Sequence, residues 1–163
     1  MFKSLINSKI MSIEEAITWR CKLEKTGKKL VMTNGCFDIL HRGHVTYLMK
    51  ARELGDALVL AINSDSSVRE LKGPNRPVTN ENDRAFILAS LMFIDAVVIF
   101  RSKRCEGIIN EIKPDIYVKG ADYNLHTMDQ TERSVLEDVG SKIEFISFVD
   151  GYSTTSIIKK MSN

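Results

Sequence analysis

Hydrophobic positions change period repeatedly along this chain, and that alternation predicts its elements. From Ser12 to Thr26 apolar side chains recur at helical spacing: Ile13, Ala16, Ile17 and Cys21, with Trp19 and Leu23 widening the stripe. Ser12 with Glu15 forms a capping-box pattern, and Gly27 follows the end. Leu30 to Met32 is a short continuous apolar run, the signature of a buried strand. It turns through Asn34-Gly35 into a second helical stretch carrying Val45, Leu48 and Met49, which ends near Gly55. Ala57 to Asn63 (ALVLAIN) is the next strand, and the polar stretch with Gly73, Pro74 and Pro77 reads as a loop. Glu81 to Ile94 is helical by spacing, and Asp95 to Phe100 is apolar and strand-like. Ile108, Ile109 and Ile112 mark a helix stopped near Pro114, before a strand from Asp115 to Val118. A helix over Thr131 to Val139, a fifth strand over Ile143 to Val149 and a closing helix over Ser153 to Met161 complete the pattern.

Strands alternating with helices imply a parallel sheet covered on both faces. With right-handed crossovers this is an α/β fold, a single doubly wound, Rossmann-like domain with a five-stranded parallel sheet. Residues 30–163 make up that domain, and residues 1–29 are an N-terminal lead and packing helix. In such folds a ligand sits beyond the carboxyl ends of the strands, where the strand order reverses. Polar residues collect at those ends: Thr33-Asn34-Gly35, Asn63-Ser64-Asp65, Lys119-Gly120-Ala121-Asp122 and Gly151 to Thr155.

Composition narrows the function classes. The chain has 163 residues, 44% hydrophobic and 27% charged, as expected for one globular domain. A net charge of +2 gives no footprint for nucleic acid or a membrane surface. Cys21, Cys36 and Cys105 form no Cys-x-x-Cys and suit reduced thiols, Cys36 as a small packing residue. The first ten residues lack the apolar core and cleavage site of a secretory signal, and no run reaches transmembrane length. A cytoplasmic protein is expected. There is no P-loop, no Gly-x-Gly-x-x-Gly after the first strand and no Gly-x-Ser-x-Gly elbow.

The candidate chemistry centres on Asp38 and His41-Arg42-Gly43-His44, at a strand–turn–helix junction. Unpaired amides and the positive end of a helix dipole gather there and favour an anion. Two of the three histidines in the chain fall in this motif. A histidine cap and a zinc pair are the competing readings, but no third ligand cluster stands at metal spacing. Ser153, Thr154 and Thr155, ahead of Ile157 and Ile158, mark a second anion-favouring helix start. Lys72 beside Gly73, with Arg76 and Arg84, supplies candidate phosphate contacts; either arginine could instead pair with Asp83 or Glu81 at the surface.

Taken together, Thr33-Asn34-Gly35-Cys36-Phe37-Asp38, the His-Arg-Gly-His motif and Gly151-Tyr152-Ser153-Thr154-Thr155 resemble the cytidylyltransferase-like nucleotidyltransferases. The phrases LKGPNRPV, VKGADY and DGYSTTSIIKK are similar to the bacterial branch that makes ADP-heptose from D-glycero-β-D-manno-heptose 1-phosphate. The resemblance implies transfer of AMP from ATP to a sugar 1-phosphate, with Mg²⁺ on the triphosphate, a lipopolysaccharide or related heptose-glycan precursor as product, and a homodimer as assembly. It assigns His41, His44 and Lys72 to catalysis and the stretch from Thr33 to Asp38, with Lys119, Gly120, Asp122, Ser153, Thr154 and Thr155, to the nucleotide. Two departures stand out. Cytidylyltransferases of this kind carry an arginine shortly before Ser-Thr-Thr, where this chain has Phe148 or its neighbours, which disfavours CTP. The heptose branch has Gly-Gly-Asp-Tyr where this chain has Gly120-Ala121-Asp122-Tyr123. The alternatives are a cytidylyltransferase acting on another phosphorylated alcohol, such as glycerol 3-phosphate, and a non-catalytic nucleotide-sensing protein.

Overall fold

The computed structural model of the chain describes residues 1–120, 127–147 and 154–161, the side chains of 155, 156, 159 and 161 excepted. In chain order the elements are α1 (Phe2–Asn7), β1 (Ile10–Met11), α2 (Ile13–Lys25), β2 (Leu30–Gly35), α3 (Arg42–Arg52), β3 (Ala57–Asn63), α4 (Asp65–Lys72), α5 (Glu81–Ala89), β4 (Ala96–Phe100), α6 (Glu106–Ile112), β5 (Ile116–Gly120), α7 (Gln130–Asp138), β6 (Lys142–Ile146) and α8 (Thr154–Met161). The strands form one sheet in the order β1-β4-β3-β2-β5-β6, every neighbouring pair parallel.

The sheet therefore has six strands where the sequence pattern gave five. The added strand is β1, whose Ile10 and Met11 pair with Val97 and Val98. Two residues are too few to display a period of two, so the hydrophobic pattern could not reveal it. Two helices were also missed. α1 buries no residue and leaves Phe2 and Leu5 exposed, so it carries no amphipathic signature. α4 occupies the start of the stretch expected to be a loop; Val68 is its one buried apolar side chain, and its turns are otherwise polar. Its start is fixed locally, because the Ser67 amide donates to the Ser64 hydroxyl.

Pleating sends alternate side chains to opposite faces. Leu30, Met32, Val59, Ala61 and Val98 meet Ala16 of α2, Ile108, Ile109 and Ile112 of α6, and Leu136 of α7. On the other face Val31, Leu58, Leu60, Ile62 and Val97 meet Leu48 and Ala51 of α3 and Ala85, Leu88 and Ala89 of α5. Helices on both faces confirm the doubly wound α/β arrangement. Each fully buried leucine or isoleucine here contributes roughly 1.5–3 kcal/mol from the removal of apolar surface from water.

Strand order also locates the crevice. Successive strands run outward from β2 through β3 to β4, after which the chain crosses to β5 on the other side of β2. The reversal lies between β2 and β5, where Thr33 is in register with Val118. Gly55, in the turn that returns from α3, cannot take a side chain. A Cβ there would come within 2.7 Å of the Val31 Cγ2 and 2.9 Å of the Lys29 carbonyl.

Candidate functional site

β2 leaves the sheet through Gly35 and a tight turn into α3. Phe37 adopts a left-handed conformation (φ 46°) that folds its ring back over Gly35, where a Cβ would stand 2.9 Å from the ring. Only glycine accommodates that overlap. The turn is pinned from below by Asp38, which is 3% exposed. Its carboxylate accepts hydrogen bonds from Arg76 Nε and from the Val78 and Thr79 amides. Burial alone would raise this carboxyl, but the Thr79 amide, the Arg76 guanidinium and the Val78 amide together hold it below the ordinary carboxylate range.

His41 is the N-cap of α3, its Nδ1 accepting from the His44 amide at 3.3 Å. A neutral ring that accepts through Nδ1 carries its proton on Nε2, so the cap fixes the tautomer. The His41 and His44 rings stack at 3.7 Å between centroids and 17° between planes, and Phe37 meets His44 edge-on at 5.3 Å. Burial, together with the charges of His41 and Lys72, pushes His44 down to about 4 against the opposing Ile39 carbonyl; burial also lowers His41. His44 is therefore neutral at physiological pH. Its buried Nδ1 has no hydrogen-bond partner among the described residues.

Phe37, Asp38 and His44 face a cleft of about 340 Å³ at the β2–β5 reversal; His41, stacked on His44, is not among its lining residues. Asn34, Gly35, Cys36, Phe37, Asp38 and His44 line one wall, and Tyr47, Lys72, Lys119, Gly120 and Thr154 complete it. Lys72, the last residue of α4, makes no ion pair among the described residues. The helix starts at the cleft differ from most others in the molecule: α2, α4, α5, α6 and α7 each carry an acidic residue in the first turn, whereas α3 and α8 carry none. Their positive ends carry no acidic side chain of their own in the first turn.

The structure thus brings His41 and His44 together and places His44, Lys72, Thr154, Lys119 and Gly120 around one cavity. Asp122 and Ser153 lie outside the described residues, as does the side chain of Thr155. Other expected contacts sit elsewhere. Thr33 is beneath the floor, its hydroxyl donating to the Val118 carbonyl and bonded to the Tyr47 hydroxyl. Arg84 is fully buried, and neither surface pairing nor phosphate contact describes it. Its guanidinium donates to the carbonyls of Thr79, Cys36 and Asn63 and to Asp65, tying the His-bearing turn to α4 and α5. Arg76, the other arginine candidate, clamps Asp38 and does not line the cleft.

Cys36 lines the cleft, but burial raises its thiol despite the nearby charges of Lys72 and Arg84, and its Sγ rests 3.7 Å from Asn63 Oδ1. It is no ready nucleophile. Two cleft-side residues escaped the sequence reading. Tyr47 fell on the apolar face of α3, and its hydroxyl marks it only once Thr33 and Val118 are seen beside it. Glu132, ion-paired to Lys119 at 2.8 Å, belongs to a helix that gave no motif.

Comparison with known proteins agrees with this geometry. Residues 32–160 match the family described as Cytidylyltransferase-like. The bifunctional protein HldE of Aliarcobacter butzleri is 48% identical over 161 residues, which is 99% of this chain and 33% of that protein. Its namesake in Syntrophotalea carbinolica is 51% identical over 137 residues, 84% of this chain and 28% of that protein. The chain therefore spans about a third of the length of the curated relatives it matches. Among solved structures, a lipopolysaccharide core biosynthesis protein from Thermoplasma volcanium is 31% identical with a TM-score of 0.63, over 78% of this chain and all of the other. A pantoate-beta-alanine ligase from Francisella tularensis shares the fold at 15% identity, with a TM-score of 0.60 over 94% of this chain and 76% of its own.

Proposed function

The chain belongs to the cytidylyltransferase-like family of nucleotidyltransferases, and from that membership we propose that it transfers AMP from ATP to a heptose 1-phosphate, releasing pyrophosphate and forming ADP-heptose. The observation that carries this reading is His44, stacked on His41 at an acid-free helix start and sharing its cleft with Lys72 and Thr154.

The acceptor needs no general base. A phosphate monoester has its second pKa at about 6 and is largely dianionic at neutral pH. One of its oxygens attacks the α-phosphorus of ATP, the α–β bridging bond breaks, and pyrophosphate departs with that electron pair. The obstacle is repulsion between two anions, so catalysis rests on positioning and on charge stabilisation at the α-phosphate. His41 and His44 donate to the α- and β-phosphate oxygens as charge grows there. Lys72 offsets the charge of the acceptor or α-phosphate. Ser153, Thr154 and Thr155 hold the departing β,γ-phosphates at the start of α8. Phe37 and Asp38 keep the turn in shape, and Lys119, Gly120 and Asp122 line the nucleotide side.

A divalent cation, magnesium on this reading, accompanies the triphosphate as part of the substrate. The Asp38 carboxylate at the cleft is already spent on Arg76 and two amides, so the cation would be held chiefly by the triphosphate. A cytoplasmic homodimer belongs to the same proposal, and light scattering on the purified chain reads the subunit count. No helix among the described residues is long and apolar enough to cross a membrane.

A pyrophosphate-release assay crossing ATP and CTP with heptose 1-phosphate, hexose 1-phosphates and glycerol 3-phosphate tests the assignment. Release with ATP and heptose 1-phosphate is the expected result. Preference for CTP with glycerol 3-phosphate, or no release from any pair, would overturn it.

A further inference from the structure

Lys72 and Lys119 both line the cleft, yet their charges stand in different settings. Lys72 ends α4 without an ion pair among the described residues, and its charge reaches His44 and Cys36. Lys119, at the end of β5, is paired. Its Nζ lies 2.8 Å from Glu132 Oε1, donates to Asn34 Oδ1 at 3.4 Å and stands 5.8 Å from the centre of the Tyr117 ring. A flexible four-carbon stem is thereby held in one place.

Glu132 is itself fixed. Its amide donates to Asp129 Oδ1 at 3.2 Å in the first turn of α7. Its Oε1 accepts from the Tyr117 hydroxyl at 2.7 Å and from the Cys105 thiol at 3.2 Å. Burial and the Glu132 charge push Cys105 up to about 12, and burial, Cys105 and Glu132 lift Tyr117 well above the ordinary phenol value, so both stay neutral. Of these four side chains only Lys119 and Glu132 are charged, and their charges cancel. The pair is largely buried, its side chains 16% and 9% exposed. A buried ion pair gains little net stability over its desolvation cost, so stability is a weak reason for placing one beside a ligand cleft.

We propose that Glu132 is a positioning residue that cancels the charge of Lys119, leaving it an oriented hydrogen-bond donor and directing the triphosphate to the unpaired Lys72 beside His44. This deepens the reading of function given above and rests on it. Two equal cations in one cleft would offer a polyanion two registers, one of them with the α-phosphorus away from the histidines. A cation with a carboxylate 2.8 Å away presents a dipole, whose pull on an anion falls off much faster with distance than that of a lone charge. Lys72 therefore wins the phosphates, and Lys119 meets an uncharged acceptor atom of the nucleotide. The carboxylate acts by making the wrong register unattractive.

Inorganic tripolyphosphate, a polyanion without base or ribose, tests this by calorimetry. It is titrated into the unmodified chain, Glu132→Gln, Lys72→Met and the double variant Glu132→Gln, Lys119→Met, and the same proteins are assayed for pyrophosphate release. Glutamine keeps an oxygen for Tyr117 and Cys105 while removing the charge. Glu132→Gln should bind tripolyphosphate about tenfold more tightly. Its kcat and its KM for ATP should fall together by about tenfold, because ATP held at Lys119 occupies the cleft without reacting. A residue that merely supports the fold would loosen binding instead. The double variant should bind tripolyphosphate within about twofold of the unmodified chain, whereas Lys72→Met should lose about tenfold. Unchanged or weaker binding by a folded Glu132→Gln protein overturns the proposal, as does a double variant that loses as much affinity as Lys72→Met; if Glu132→Gln does not fold, the double variant decides alone. An unmodified chain that releases no pyrophosphate from ATP and heptose 1-phosphate overturns the reading of function, while the tripolyphosphate titrations need no sugar and report on the charge pairing either way.

Discussion

At the N-terminal ends of the strands, Asp56, Asp95 and Asp115 accept the main-chain amides of Lys29, Leu58 and Leu30 at 2.7–2.8 Å. Asp95 also pairs with Arg52 and Asp115 with Arg20. At the C-terminal ends, among the described residues, His44 Nδ1 and Arg76 Nη2 lack partners, Lys72 has no ion pair, and two helix starts carry no acid. Apart from Arg20 Nη1, which also lacks a partner among the described residues, the sheet thus satisfies its polar groups at one end and leaves several open at the other. Satisfied groups hold strands in register, and on the proposed function the unsatisfied ones take their partners from the bound triphosphate. What separates stability from function here is whether a polar group already has its partner.

Arg84 sharpens that comparison, because it lies at the ligand end yet is fully satisfied. Arg84→Ala strands three carbonyls and Asp65 in a buried setting and should cost about 3–5 kcal/mol in denaturant unfolding, with Arg84→Lys a poor substitute for the lost fork of donors. A variant of wild-type stability would break the rule.

A matched pair of substitutions probes the two ends directly. His44→Ala should lower kcat about a hundredfold or more while leaving the unfolding midpoint near its original value. Asp115→Ala should do the reverse, losing about 1–3 kcal/mol of stability with kcat nearly unchanged. Exchanged outcomes would contradict the assignment of roles.

Acid separates the ends as well. His44 takes up its proton less readily in the folded protein, at about 4 against 6.5, so its contribution to stability is complete above about pH 6.5 and is lost as pH falls towards 4. Thermal melts of the wild type should decline through that window, and His44→Ala should flatten the decline. The smallest effect belongs to Cys36. Burial keeps its thiol protonated, so Cys36→Ala should hold turnover within about twofold in the same assay.

Much of this was legible in the chain. The uninterrupted runs of β2 and β3 declared buried parallel strands, and the strand–turn–helix pattern from Asn34 to His44 pointed to the junction where the structure forms its cleft. What stayed hidden depends on contacts distant in sequence. Arg84 reads as a surface cation until the carbonyls of Cys36 and Asn63 close around it. Tyr47 and Glu132 likewise gain meaning only from Val118 and Lys119 across the reversal. β1 was invisible for another reason: a two-residue strand is specified by its neighbour β4 more than by its own sequence.

The central claim is that the paired imidazoles meet the triphosphate. It is tested most directly by following the His44 ring through a pH titration by NMR, with and without a magnesium-bound, non-hydrolysable ATP analogue. The account predicts a midpoint near 4 in the free protein that rises by more than about one unit once the anion is bound, as an adjacent negative charge favours the protonated ring. A titration unmoved by the analogue would contradict it.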